Sequence, residues 1–197
     1  MKYLSGLFLL TLLILLSGCE VTITPTGVQT TTPTAISMGN NQAEPQWGTR
    51  TKTSGCQVNG PLQDQACTPG AIFPDATKEQ ICVPGYASSV RNVSTSLKNK
   101  VYASYGVKTR RPGQYEVDHL VSLQLGGSND ISNLWPEAAE PKPGFHEKDR
   151  VENWLHDQVC DGKMTLKDAQ IKIATNWLAV YQTIPSQFNG SDSDDSG

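Results

Sequence analysis

Residues 115–146 hold the side chains best suited to chemistry. They place an adjacent pair, Asp118 and His119, ahead of Asn133 and a second histidine, His146. The chain has 3 histidines, and two of them fall in this window. Histidine titrates near neutral pH and is the commonest metal ligand, and an Asp carboxylate suits a hard divalent cation. These residue types together point to metal-assisted acid–base chemistry. The third histidine, His156, lies ten positions beyond His146, about 280° round a helix, and is out of reach of any ion that His146 holds.

Such groups need a rigid frame. Tyr115, Val117 and His119 alternate with Glu116, Asp118 and Leu120, which predicts a short strand running into Val121, Leu123 and Leu125, with Gly126-Gly127 as the hairpin turn. Ile131 and Leu134 follow, and Trp135-Pro136 closes the unit. A helix is expected from about His146 to Val159, with Val151, Trp154, Leu155 and Val159 on its apolar stripe. Thr165 and Asp168 resemble a capping box, opening a helix with Leu166, Ala169, Ile173, Trp177 and Tyr181 on one face. Val90, Val93, Leu97, Val101 and Tyr105 predict a helix over 90–105. Residues 109–113 read as a turn, and residues up to Gly85 read as loops rich in Gly, Pro and Cys. The fold class is α+β, dominated by helices around one hairpin. Trp135, Trp154 and Trp177 read as core.

The fragments Y-E-V-D-H-L, L-G-G-S-N-D, N-L-W-P-E, H-E-K-D-R-V-E and V-C-D-G, with the A-Q…I-A-T-N-W run and I-C-V-P-G-Y-A-S-S-V-R, occur along one stretch. Together they resemble the HNH, or ββα-metal, endonuclease family, in a secreted bacterial or phage-associated branch, over roughly residues 67–181. The resemblance implies a ββα-metal hairpin–helix core with additional helices. It implies hydrolysis of phosphodiester bonds, with DNA rather than RNA as the expected partner. That reaction needs a base for water, charge neutralisation on the phosphate and help for the leaving oxygen. By the family's layout His119 is the general base, and Asp118 and His146 are the metal ligands. Asn133 belongs to the catalytic set as a support, holding the hairpin loop through side-chain hydrogen bonds to backbone and so keeping His119 aimed. Arg91, Lys148 and Arg150 are candidate phosphate contacts. Many HNH proteins offer a further His or Asn one turn after the metal histidine. Here that position is Arg150, and Asn153, two turns on, is a weak substitute. Two protein ligands and several waters would suit Mg2+ or Mn2+, with Zn2+ or Ni2+ as alternatives. An HNH-derived binding module without catalysis is the competing expectation.

The flanks and cysteines set the compartment. Residues 1–18 read as a signal peptide, with Lys2 ahead of an apolar run from Leu7 to Leu16. Leu16-Ser17-Gly18-Cys19 resembles the lipobox of bacterial lipoproteins, which implies a diacylated Cys19 and a membrane partner. Residues 19–46 read as a Thr/Pro-rich tether, 47–188 as the folded domain and 189–197 as an acidic tail. Export makes the four remaining cysteines, Cys56, Cys67, Cys82 and Cys160, two disulfides, with three pairings left open. No two of them have the close spacing of a structural zinc site. The formal charge of −3 is dominated by the flanks: the folded part carries 14 acids against 15 bases. Arg91, Lys98, Lys100, Lys108, Arg110 and Arg111 form a run without an acid, which suits a polyanion.

Overall fold

In the computed structural model, residues 43–188 are described. The expected signal peptide, lipidation site Cys19, most of the tether and the acidic tail lie outside them. The order of elements is α1 (Lys78–Ile81), α2 (Tyr86–Val90), α3 (Thr95–Ser104), β1 (Tyr115–His119), β2 (Leu134–Ala138), α4 (Phe145–Cys160) and α5 (Leu166–Tyr181). This is a mixed helix-and-strand protein, with β1 and β2 paired antiparallel as its two-stranded sheet.

The register sets Glu116 opposite Glu137, Asp118 opposite Trp135 and His119 opposite Leu134. Side chains alternate across a strand, so Glu116, Asp118, Trp135 and Glu137 share one face and His119 projects from the other. Strand β1 stops at His119 instead of running on to Leu125. Residues 120–133 form a long connection with two 3-10 turns, Leu123–Leu125 and Ile131–Asn133. Gly126-Gly127 is therefore not a two-residue hairpin turn. Gly126 ends the first 3-10 turn at φ 73°, and Gly127 packs so closely that a Cβ there would lie 1.8 Å from the Val121 carbonyl oxygen. Trp135 and Pro136, expected to close the unit, lie within β2.

The helix expected over 90–105 is shorter: α3 covers Thr95–Ser104, and Val90 is the last residue of α2. Arg91 is extended, and Ser94 starts α3 by accepting the Leu97 N–H on its Oγ at 3.2 Å. A local cap outcompetes continuation of the helix here. Helix α5 carries non-helical backbone at Asn176, whose Oδ1 accepts the Ala179 N–H at 3.0 Å and restarts the helix. Its opening matches the Thr165 cap, which accepts the Asp168 N–H at 3.0 Å.

The core gathers Leu120, Val121 and Leu125 from the connection, Trp135 from β2, Val151, Leu155 and Val159 from α4, and Ala169, Ile173 and Trp177 from α5. Trp135 and Trp177 are fully buried, as expected, whereas Trp154 is only half-buried at the edge. The disulfides are Cys56–Cys67 and Cys82–Cys160. They point to an oxidising environment outside the cytoplasm. Among the described residues no helix is long and apolar enough to cross a membrane.

The bridges close chain segments of very different length, with sequence separations of 11 and 78. The loop-entropy model assigns about 2.8 kcal/mol to the first and about 4.5 kcal/mol to the second. Replacing Cys82 and Cys160 by alanine should therefore lower the unfolding free energy more than replacing Cys56 and Cys67. Chemical denaturation of the two double variants checks this order, and equal losses would contradict it.

Candidate functional site

The hairpin and α4 meet around a buried ammonium. Lys148 is 0% exposed. Its Nζ donates to Asp118 Oδ2 at 2.7 Å, to the His119 carbonyl at 2.8 Å, and to Glu152 Oε1 one helical turn on. All three ammonium donors are thereby matched. Lys148 is thus not a surface contact for phosphate, because the pull of two carboxyls and a carbonyl keeps its amine inside. Burial by itself would lower its pKa, but Asp118, Glu152 and Glu137 reverse this and hold it above the usual lysine value.

Asp118 is tied at both oxygens, with Oδ1 accepting the His119 N–H at 2.7 Å. Burial pushes its carboxyl up, and the Lys148 charge outweighs that and holds it below the usual range. Glu152 moves the other way, raised by burial against the partial offset of Lys148. Glu137 is buried, and neither of its carboxyl oxygens meets an N–H or hydroxyl donor. Burial raises it well above the usual range, Lys148 offsets part of this, and Asp118 adds to it. A proton on Glu137 removes the clash of two acceptors, and its O–H then faces Asp118. Glu116, opposite it in the sheet, is also raised by burial and by Asp118.

On the far side of β1, His119 is 3% exposed and its Nε2 lies 3.2 Å from Asn129 Oδ1. Burial lowers its pKa to about 4 against the opposing pull of Asp118. The ring is therefore neutral at pH 7 and able to accept a proton. Asn133 is fully buried. Its Oδ1 accepts from the N–H groups of Val121 (2.9 Å) and Ala71 (3.3 Å), and its Nδ2 donates to the carbonyls of Val121 and Ser128 (both 2.9 Å). All four bonds go to backbone of the connection and of the segment beneath it.

The remaining expected contacts are dispersed. His146 is exposed in the first turn of α4, its ring centroid 4.3 Å from that of Phe145. Arg150 lies about 200° round α4 from Lys148. Its Nη2 donates to the Phe188 carbonyl at 3.4 Å and its guanidinium lies 5.8 Å from the Tyr181 ring. Arg150 therefore serves the end of α5 and is not beside Asp118. Asn153 accepts from Gln124 Nε2 at 2.9 Å. His156 Nε2 lies 3.1 Å from the Ile81 carbonyl oxygen. Arg91 is exposed and lines a cleft of about 210 Å³ with Lys98, Tyr102, Tyr115, Glu116 and Asp118. A shallower depression of about 530 Å³ shares Tyr115 and carries Lys108, Arg110 and Arg111. The Arg110 guanidinium sits 3.8 Å over the Tyr102 ring. Five members of the acid-free run thus line two depressions that share Tyr115.

A divalent ion does not fit the side chains as they stand. Both Asp118 oxygens are engaged, and the Lys148 ammonium occupies the cation position beside Oδ2. Among the described residues, three ligand-type side chains converge only at Cys82–His156–Cys160 and at Cys56–Asp64–Cys67. Both groups include a disulfide, whose sulfurs are committed to each other. Asp118 and His146 belong to neither.

Glu137, Glu152, Asp149 and Asn129 were not singled out from the sequence. Glu152 had a signal, its i,i+4 spacing from Lys148. Glu137 follows Trp135 by two positions and so shares its buried face, but only strand pairing reveals its neighbour. Nothing local in the sequence links Asn129 to His119. Comparison with known protein families, with characterised proteins and with solved structures yields no match for this chain.

Two outcomes follow from the buried charges. Lys148→Met keeps the stem and removes the ammonium, leaving Asp118 and Glu152 without their partner, so urea denaturation should show a loss of about 3–5 kcal/mol. A loss below about 1 kcal/mol would show that the cluster does not hold α4 to the hairpin. Asp149 is raised to about 7 by burial first, then by Glu152 and Asp118. Its folded state keeps a proton that the unfolded chain releases, so it costs stability as pH rises from 3.8 to about 7. The melting temperature of Asp149→Asn relative to the parent should therefore be higher at about pH 8 than at about pH 5, and a pH-independent difference would rule this out.

Proposed function

We propose that this chain is an exported phosphodiester hydrolase of the HNH type, acting on DNA, with His119 as the base that activates water. The observation that carries the reading is the buried His119 imidazole, its pKa pushed down to about 4, at the end of β1, whose residues 115–118 line a cleft together with Arg91 and Lys98. An imidazole that is neutral at pH 7 has a lone pair free to take a proton from water, and Arg91 and Lys98 in the cleft can balance phosphate charge. Arg91 and Lys98 at the near end, and Lys108, Arg110 and Arg111 further out, suit the backbone of a nucleic acid strand. The sequence resemblance supports the same reaction, and lipid attachment through Cys19 would keep it at a bacterial membrane.

The Mg2+ or Mn2+ that the resemblance implies has no preassembled ligand set here. A second reading, a nucleic-acid-binding module without catalysis, is favoured by that one observation, the Lys148–Asp118 pair. Plasmid nicking with Mg2+, Mn2+ and Ni2+, and with EDTA, separates the two. The hydrolase reading expects nicking that falls about 10²–10⁴-fold in His119→Ala, the usual worth of a general base. No nicking under any of these conditions, with a salt-sensitive gel shift indifferent to EDTA and to His119→Ala, would favour the binding module instead.

A further inference from the structure

Asn129, half-buried in the connection between β1 and β2, meets three groups with one carboxamide. Its Oδ1 accepts the Asn92 N–H at 3.1 Å and its Nδ2 donates to the Val90 carbonyl at 2.8 Å. These two backbone partners decide which end of the amide is oxygen. Turned over, it would set an NH2 against an N–H and a carbonyl oxygen against a carbonyl oxygen. The third partner is His119 Nε2, 3.2 Å from the same Oδ1. An acceptor at that point requires a proton on Nε2. In a neutral imidazole the lone pair is then on Nδ1.

We infer that Asn129 is the positioning residue of the site, fixing His119 as the Nε2–H tautomer so that Nδ1 is the atom that takes the proton from water. The same carboxamide grips residues 90 and 92, with Arg91 between them. It therefore holds the cationic lip of the cleft in register with the base. Asn133 has no such link, since all four of its bonds go to backbone. This assignment rests on the reading of His119 as a general base.

Long-range 1H–15N correlation spectra of the full chain at neutral pH test it without reference to activity. The parent should show a protonated Nε2 and an unprotonated Nδ1 at His119, identified by the signals lost in His119→Gln. Asn129→Ala should give a mixture of tautomers, with kcat for nicking down about 10²-fold, the scale of an ångström's misplacement, and KM changed far less. Asn129→Asp keeps an acceptor toward Nε2, so it should retain the parent tautomer and recover part of the kcat lost in the alanine variant. If Asn129→Ala fails to fold, the parent and Asn129→Asp spectra decide. An Nδ1–H ring in the parent, or an unmixed Nε2–H ring in Asn129→Ala, would overturn the assignment. An Nε2–H ring in a parent that never nicks DNA would sink the hydrolase reading and leave the tautomer assignment standing.

Discussion

The arrangement of hairpin and helix depends on one buried ammonium. Lys148 reaches from α4 to Asp118, to the carbonyl of His119 and to Glu152, so a single group ties the helix to the last two residues of β1. Removing a lysine and two carboxyls from water is expensive, and the interaction is favourable only because every ammonium proton has an acceptor in reach. That need for full matching explains the rest of the cluster. Burial and the neighbouring Asp118 raise Glu137 well above the usual carboxyl range, which favours its protonated form and avoids a further negative charge beside Asp118.

The connection between the strands obeys a second constraint, close backbone approach. Residues 120–133 fold back so tightly that Gly127 nearly touches the Val121 carbonyl, where no side chain fits. Asn133 then takes the place that further strand pairing would have taken, satisfying Val121 on both its N–H and its C=O. A backbone segment buried without a ladder needs such a partner, because an unpaired peptide group in the core costs about as much as a lost hydrogen bond. Leu120, Val121 and Leu125 pack into the core and anchor the connection that carries Asn129.

Much of this could be read from residue patterns, and the misreadings have physical causes. The stripe of α4 and the face of α5 were legible because the 3.6-residue period survives burial. The cysteine count and the export signal led to two disulfides, though the pairing needed three dimensions. A glycine pair between alternating runs fits a hairpin turn locally, which is why Gly126-Gly127 suggests one. The real cause, the packing of Gly127 on Val121, joins positions six apart through a 3-10 turn. Lys148, a candidate phosphate contact by its place just after His146, lies wholly inside, which is rare for a lysine. Its i,i+4 partner Glu152 hints at this, but surface helices carry the same spacing. Asp118 and His119 were recognisable as a pair. That they project from opposite faces of β1, one toward α4 and the other toward Asn129, follows from strand alternation, and only the tertiary packing says what each then meets.

This division of faces bears on how the site could use a metal. On the α4 side, the Lys148 ammonium is 2.7 Å from Asp118 Oδ2. Two unit charges about 4 Å apart repel by about 4 kcal/mol at an effective dielectric of 20, and a divalent ion doubles that. Loss of a proton from Lys148 would relieve the repulsion, but its carboxyl neighbours raise its pKa and oppose that route. The other route is withdrawal of the ammonium, which would break the tie between α4 and the hairpin. Divalent-ion affinity at Asp118 and the stability of the hairpin–helix unit are therefore coupled with opposite sign.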